Sequence, residues 1–146
     1  MKIQQPDAEG AEVTQKTQKE HPIENDCSHA IIGAAVEVQR VLGVGLLESA
    51  YSAAMAIELG EREIGFQREV PITGRYKGRD VGLSYRADFI VENSVIVEVK
   101  AVDALADIHR AQVLSYLKLS GLKLGLLLNF NVFPIVKAVH RVVNKL

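Results

Sequence analysis

The chain has 146 residues, a formal net charge of −1, 48% hydrophobic residues and 24% charged residues. This length fits one domain, and the composition is ordinary for a globular protein. Together they exclude a chain that is disordered throughout, a collagen and a disulfide-rich scaffold. Because nucleic-acid-binding proteins usually carry a basic balance, the net charge argues at first against such a partner.

The single cysteine, Cys27, cannot form an intramolecular disulfide, which suits a reducing cytoplasm. The first residues contain no apolar stretch typical of secretory signals, and the longest apolar run is far below the ~18 residues of a membrane-spanning helix. We therefore expect a cytoplasmic protein. Residues 1–24 are polar and lack periodicity, with three lysines against five acidic residues. We predict a flexible polar tail there, followed by one domain over 25–146.

Two amphipathic helices are predicted at the start of this domain. The first covers 26–42, with Asn25 or Asp26 as its N-cap, and the second covers about 46–63, with Gly65 as a C-cap signal. The apolar residues of the second helix that we expect to face the core are Leu47, Ala50, Ala54, Ile57 and Leu59.

The hydrophobic pattern then changes to the two-residue alternation of strands. We predict strands over 69–76, 81–91, 95–101 and 122–130, and assign the ambiguous segment 135–143 to a further strand. Between the third and fourth strands, Asp103 or Asp107 caps a predicted helix that ends at Ser120. The residues expected to pack this helix on the sheet are Ile108, Ala111, Leu114 and Leu117. The order α-α-β-β-β-α-β, with a further β, indicates an α/β protein with a mixed sheet.

Three polar residues fall on one face of the predicted hairpin. Glu98 and Lys100 are two residues apart in one strand, so their side chains point the same way. If residues 92–94 form a three-residue turn, Val91 pairs with Val95, and counting outward brings Asp88 opposite Glu98. Two opposed carboxylates repel each other unless something neutralises them.

A hard divalent cation would neutralise this pair, because Mg²⁺ typically binds one or two carboxylates together with a substrate phosphate. Lys100 beside it could stabilise developing negative charge or help to activate a water. This is the minimal equipment for metal-assisted phosphodiester hydrolysis. The alternative is a solvated polar face in which Lys100 pairs with Glu98, and such short matches more often have that explanation.

Further polar residues lie on the predicted helices. Gln112 and Tyr116 are one turn apart on the same helix face, where an amide and a phenol could contact a phosphate or a base. An ordinary boundary pair is the alternative. Glu48 falls in the first turn of the second helix, where the helix dipole favours a carboxylate without any further role.

Gly45, Glu48 and Tyr51 match the signature of the GxxExxY protein family, which this chain resembles. The resemblance covers roughly residues 26–146 and continues through the segments 85–88, 96–101, 112–117 and 125–131. That family is similar to a branch of the PD-(D/E)xK nuclease superfamily. The resemblance therefore implies a restriction-endonuclease-like fold, with a mixed central sheet flanked by helices. Ala87 stands where the superfamily pattern has its proline.

The resemblance also implies a role for each matching residue. The catalytic residues would be Asp88, Glu98 and Lys100. The metal ligands would be Glu48, Asp88 and Glu98. Gln112 and Tyr116 resemble the helix motif of RecB-like exonucleases and would bind substrate.

From the resemblance we expect a nuclease that hydrolyses DNA phosphodiester bonds with Mg²⁺ or Mn²⁺, in DNA repair, processing or defence. Small nucleases of this kind are often dimers, which leaves a homodimer open. Two alternatives stay open. One is a non-catalytic module that binds nucleic acid or protein on the same fold, and the other is a hydrolase of nucleotides or small phosphoesters. An aromatic content of 5% without tryptophan disfavours a dedicated single-strand binder.

The net charge is an average over unlike parts of the chain. Residues 104–146 hold six basic residues against Asp107, and residues 75–86 hold four against Asp80. A cation would offset the charge of the proposed metal ligands. The near-neutral total therefore does not exclude DNA, and it indicates a local basic face with salt-sensitive affinity.

Overall fold

The computed structural model describes residues 23–145, with side chains from Cys27 onward. In chain order the elements are α1 (Ile23–Leu42), α2 (Glu48–Glu61), β1 (Phe66–Tyr76), β2 (Arg79–Val91), β3 (Val95–Lys100), α3 (Asp107–Ser120), β4 (Leu124–Asn129), a 3₁₀ helix (Ile135–Ala138) and β5 (Val139–Val143). The predicted polar tail lies outside the described residues except for its last two residues, which begin α1. None of the helices within residues 23–145 is long and apolar enough to cross a membrane.

The five strands form one mixed sheet in the order β1-β2-β3-β4-β5. Strands β3 and β4 are parallel and are joined through α3, whereas all other neighbours are antiparallel. The predicted α/β architecture with a mixed central sheet flanked by helices is therefore confirmed. The ambiguous C-terminal segment contains β5, preceded by a short 3₁₀ helix.

Helices cover both faces of the sheet, and the alternation of β3 explains why. Val95, Val97 and Val99 are fully buried in the core that α1 and α2 form on one face. Ile96 points the other way, into a smaller core beneath α3. A strand that is packed on both faces usually has an uninterrupted apolar sequence. The only polar residues of β3 are Glu98 and Lys100.

Only part of each predicted core face is buried: Leu59 and Leu117 lie in the core as predicted, whereas other residues do not. The predicted core residues that are in fact exposed are Leu47, Ile57, Ile108 and Ala111. The residues that α2 and α3 bury are Tyr51, Met55 and Leu59, and Val113 and Leu117. These buried positions recur every four residues, which is the spacing of the ridge by which a helix packs into a groove.

The predictions for the start of α1 and for the end of α2 are wrong. Helix α1 begins at Ile23, so Asn25 and Asp26 lie inside its first turn instead of capping it. Helix α2 ends at Glu61, and Glu63, which follows it two residues before the predicted Gly65, has the left-handed conformation (φ 59°). The termination is set by backbone bonds from the following amides back to the last turn of α2.

Neither Asp103 nor Asp107 caps α3, whose N-cap residue is Ala106. The His109 side chain satisfies this end instead, because its Nδ1 accepts the Ala106 backbone N–H at 3.0 Å. At the other end, the prediction that Gly121 follows the helix is confirmed. It adopts φ 78° and donates its N–H to a carbonyl of the last turn.

A buried glutamine fastens α1 to the segment after β4. The side-chain amide of Gln39 donates to the carbonyls of Phe130 and Val132 at 3.0 and 2.8 Å. Its oxygen accepts the Ile135 N–H at 2.8 Å. The Gln39 side chain and the Phe130 carbonyl and Ile135 amide would otherwise be buried without these partners, so this contact fixes the path of the chain beyond β4.

Candidate active site

The β2–β3 hairpin has the register that its turn predicts. The three-residue turn includes Asn93 in the left-handed conformation (φ 55°), which asparagine tolerates well. Val91 pairs with Val95, and the antiparallel pairing continues outward without a shift. Counting on from this pairing brings Asp88 level with Glu98.

Asp88 and Glu98 bind each other's strands through their carboxylates. Glu98 Oε2 accepts the backbone N–H of Asp88 at 2.8 Å, and Asp88 Oδ2 accepts the backbone N–H of Val99 at 2.8 Å. Two carboxylates thus take the place of carbonyl acceptors between the strands. Each is fixed by a backbone donor, so the two acidic groups face one point at the edge of the hairpin pairing.

Burial and mutual repulsion make this pair costly to ionise. Glu98 is only 6% exposed, and this burial, followed by the charge of Asp88, raises its pKa from 4.5 to about 8. Burial likewise raises the pKa of Asp88, against the opposing effect of the Val99 amide. Raised pKa values from desolvation beside a like charge are typical of functional sites.

Lys100 supplies the nearest positive charge. It ends β3 on the same face as Glu98, and its charge lowers the pKa of both carboxyl groups. In the described part of the chain it forms no ion pair with either of them. Lys100 pairs in the parallel register with Asn129, whose side chain bonds both the N–H and the carbonyl of Val102. The site therefore lies at the carboxyl end of β3, where these bonds hold the outgoing chain.

Gly45 and Tyr51, two residues of the glycine–glutamate–tyrosine signature, determine the conformation of the loop before α2. Gly45 has φ 96°, which side chains disfavour. The buried Tyr51 donates its hydroxyl to the Gly43 carbonyl at 2.7 Å and accepts the Leu46 N–H at 3.2 Å. Its ring stacks on Phe130 at 4.7 Å between centroids. The tyrosine is thus a structural residue that fixes the start of α2.

Glu48 is the first residue of α2, so this loop determines where its carboxylate lies. The side chain is exposed, and its charge adds to the effects that raise the pKa of Asp88 and Glu98. Glu48 therefore acts on the same region as the pair. Among residues 27–145, however, no three acidic, histidine or cysteine side chains gather closely enough to hold a metal ion.

Helix α3 brings Tyr116 to the pair and leaves Gln112 at the rim. Burial, and then the charges of Glu98 and Asp88, raise the pKa of the Tyr116 phenol, which therefore stays protonated at neutral pH. Its ring lies 5.8 Å from that of Tyr85 on β2. Gln112, one turn earlier, is exposed.

A comparison with known protein families identifies the superfamily of this chain. A family model described as the PD-(D/E)XK nuclease superfamily matches residues 25–142. The chain belongs to this superfamily. No curated protein and no solved structure matches it. The match is to the superfamily, so assignment to the GxxExxY family and to a RecB-like branch stays a prediction.

Two residues near the site of this PD-(D/E)XK protein were not predicted as site residues from the sequence. Glu69 lies across from Asp88 in the β1–β2 register, has φ 52° and contributes to the raised pKa of Asp88. Its carboxylate pairs with Arg86 at 3.1 Å. Tyr85 belongs to the segment 85–88 of the family resemblance, but the sequence does not predict its contact with Tyr116 of α3. Positive φ at a glutamate leaves no sequence signal, whereas the strand register could have indicated Glu69.

Proposed function

We propose that this protein hydrolyses DNA phosphodiester bonds with a divalent cation, Mg²⁺ or Mn²⁺. The observation that carries the proposal is the pair of carboxylates on neighbouring strands, Asp88 and Glu98, with Lys100 beside them. Membership of a nuclease superfamily supports the same chemistry, and its members are generally dependent on divalent metals.

The donor set fits such a cation. Asp88 and Glu98 offer oxygen ligands, which Mg²⁺ and Mn²⁺ prefer. Burial, and after it neighbouring negative charge, raises the pKa of both groups, and a cation would offset that charge. Glu48 is the third proposed ligand, because its charge already acts on both groups. When bound, a divalent cation neutralises phosphate charge and makes a water more acidic.

The remaining residues act on the substrate. The Lys100 ammonium would donate to a phosphate oxygen and stabilise the negative charge that develops there during hydrolysis. Tyr116, which like any phenol is protonated at neutral pH, would donate a hydrogen bond to a phosphate oxygen or a base. Gln112 at the rim would contact the same strand farther along. Asp88 and Glu98 are held in place for their task by the two backbone donors.

A cleavage assay tests the proposal. Linear duplex, single-stranded and structured DNA are incubated with Mg²⁺ or Mn²⁺, and with EDTA as the metal-free control. We expect Asp88→Ala and Lys100→Ala each to lower cleavage by at least about 100-fold, since each removes a group that acts in the transition state. The exposed Glu61→Ala and Lys118→Ala are matched controls and should cleave normally. Full cleavage by Asp88→Ala or Lys100→Ala would show that the assignment is wrong.

The second candidate is a non-catalytic module on the same fold. It is favoured by the separation of Glu48 from the pair, since no three ligating groups gather among the described side chains. It predicts DNA or protein binding without cleavage under any metal condition. The same assay with mononucleotides as substrates distinguishes a nuclease from a hydrolase of small phosphoesters.

A further inference from the structure

The β1–β2 hairpin extends well beyond the rest of the sheet. Strand β2 pairs with β3 only near its end, whereas its pairing with β1 continues to the tip at Tyr76 and Arg79. Ile72 on β1 is still buried beneath α3, but every residue from 75 to 86 is exposed. At about 3.3 Å per residue, the four residue steps from Ile72 to Tyr76 form an arm about 13 Å long. We call residues 75–86 the ribbon.

The ribbon is the basic part of this region. It carries four basic residues against Asp80. The Asp80 carboxylate is used locally, because it accepts the Gly82 N–H at 2.7 Å. Within the described chain, Arg86 pairs with Glu69, whereas the basic residues nearer the tip form no ion pair. These unpaired residues are Arg75, Lys77 and Arg79.

The ribbon leaves the sheet at the same end as the candidate site. Strand β2 runs from Arg79 at the tip to Asp88, and Tyr85 at the base contacts Tyr116 of α3. Strand β1 covers the same stretch, from Tyr76 to Glu69 across from Asp88, in seven residue steps, or about 23 Å of extended strand. Strand β2 uses nine steps because it has two extra residues at the register shift between Thr73 and Arg75. One turn of B-DNA is about 34 Å long. A phosphate at the site and a phosphate at the tip would thus lie within one helical turn of each other on the same duplex.

We propose that the ribbon binds duplex DNA in the major groove and so directs the site to double-stranded substrate; this rests on the proposed function above. The B-form major groove is about 12 Å wide and admits a two-stranded antiparallel ribbon. The major groove of A-form RNA is too narrow to be entered in this way. Single strands are usually held by rows of aromatic side chains, whereas the tip offers Tyr76 alone, with Lys77 over its ring.

The test is duplex binding by a triple variant of the full chain, Arg75→Gln, Lys77→Gln and Arg79→Gln. Fluorescence anisotropy is measured in EDTA, which prevents metal-dependent cleavage, with a 24-bp DNA duplex over a series of salt concentrations. The matched control removes three exposed lysines at other positions, Lys118→Gln, Lys123→Gln and Lys145→Gln. Lys123 and Lys145 flank the β4–β5 pairing at the end of the sheet away from Lys100.

We expect the ribbon variant to bind the 24-bp duplex at least about tenfold more weakly, with a salt dependence shallower by about 2 to 3 in log–log slope, since each lost phosphate contact removes about 0.9. The control should bind like the wild type. Single-stranded DNA and duplex RNA should bind more weakly than duplex DNA and should not discriminate between the variants.

Several outcomes would overturn the inference: an unchanged affinity of the ribbon variant, an equal loss in the control, or preferential binding of duplex RNA, single strands, anionic vesicles or acidic protein by the wild type.

Hydrolysis of bis(p-nitrophenyl) phosphate separates this inference from the proposed function, because the ribbon variant should retain it. If duplex binding depends on the ribbon but the wild type cleaves nothing, the proposed function fails and the ribbon inference stands. If the wild type cleaves DNA but the ribbon variant binds the duplex as tightly as the wild type does, only the ribbon inference fails.

Discussion

Replacing Glu98 by glutamine removes the most strongly perturbed charge of the site while nearly preserving its shape. The glutamine oxygen can still accept the Asp88 N–H that Glu98 now accepts at 2.8 Å. The substitution therefore separates the electrostatic cost of the carboxylate from its structural contact. We expect Glu98→Gln to make the metal-free protein more stable at alkaline pH, because it removes a charge that the fold disfavours.

The magnitude follows from the pKa of Glu98, which burial raises from 4.5 to about 8. Between these values the folded protein retains a proton that the unfolded chain has released, so stability falls as the pH rises through this window. A change of about 3.5 pKa units corresponds to about 5 kcal/mol, which is an upper bound for the loss between pH 4 and pH 9. The raised pKa of Asp88 acts in the same direction.

Urea unfolding in EDTA at pH 5 and at pH 8.5 measures this loss. The wild type should lose several kcal/mol between the two pH values, whereas Glu98→Gln should lose markedly less and be the more stable protein at pH 8.5. Mg²⁺ should restore stability to the wild type at pH 8.5 and have little effect on the variant. The exposed Glu61→Gln serves as control. An equal pH dependence of Glu98→Gln and wild type, or a less stable variant at pH 8.5, would refute this reasoning.

Two further predictions concern the surroundings of the site. Tyr51→Phe keeps the ring stack but removes both hydrogen bonds of the hydroxyl, so we expect a loss of about 1–2 kcal/mol in urea unfolding, and an unchanged midpoint would contradict this. Gly125→Ala would drive a Cβ into Val113 Cγ1 and should destabilise by about 1–3 kcal/mol, with a lowered melting temperature. The control Gly60→Ala meets open space inside a helix and should be neutral or stabilising by up to about 1 kcal/mol; equal effects of the two would refute the packing argument.

The arrangement of Asp88 and Glu98 could be predicted because it depends on local rules. A three-residue turn fixes the hairpin register, and strand alternation then decides which side chains share a face. The same alternation explains why Val95, Val97 and Val99 lie in one core. Neither inference requires knowledge of any contact distant in the sequence.

The remaining features depend on contacts between distant segments. Tyr51 is held against Phe130, a residue 79 positions later, and only this contact explains where the start of α2 lies. The exposure of Leu47 and Ile57 follows from which ridge of α2 meets the sheet, which periodicity alone leaves open. The positive φ of Glu69 is likewise a property of the folded hairpin, since no local residue preference favours it.

Calorimetric titration with Mn²⁺ or Mg²⁺ near pH 8 tests the central claim most directly, namely that Asp88 and Glu98 form a divalent-cation site. The wild type should bind the cation and release protons on binding, because Glu98, whose pKa is raised to about 8, is partly protonated at this pH and a cation displaces that proton. Glu98→Gln should bind at least about tenfold more weakly and release fewer protons. Equal affinity and equal proton release in the two proteins would contradict the account.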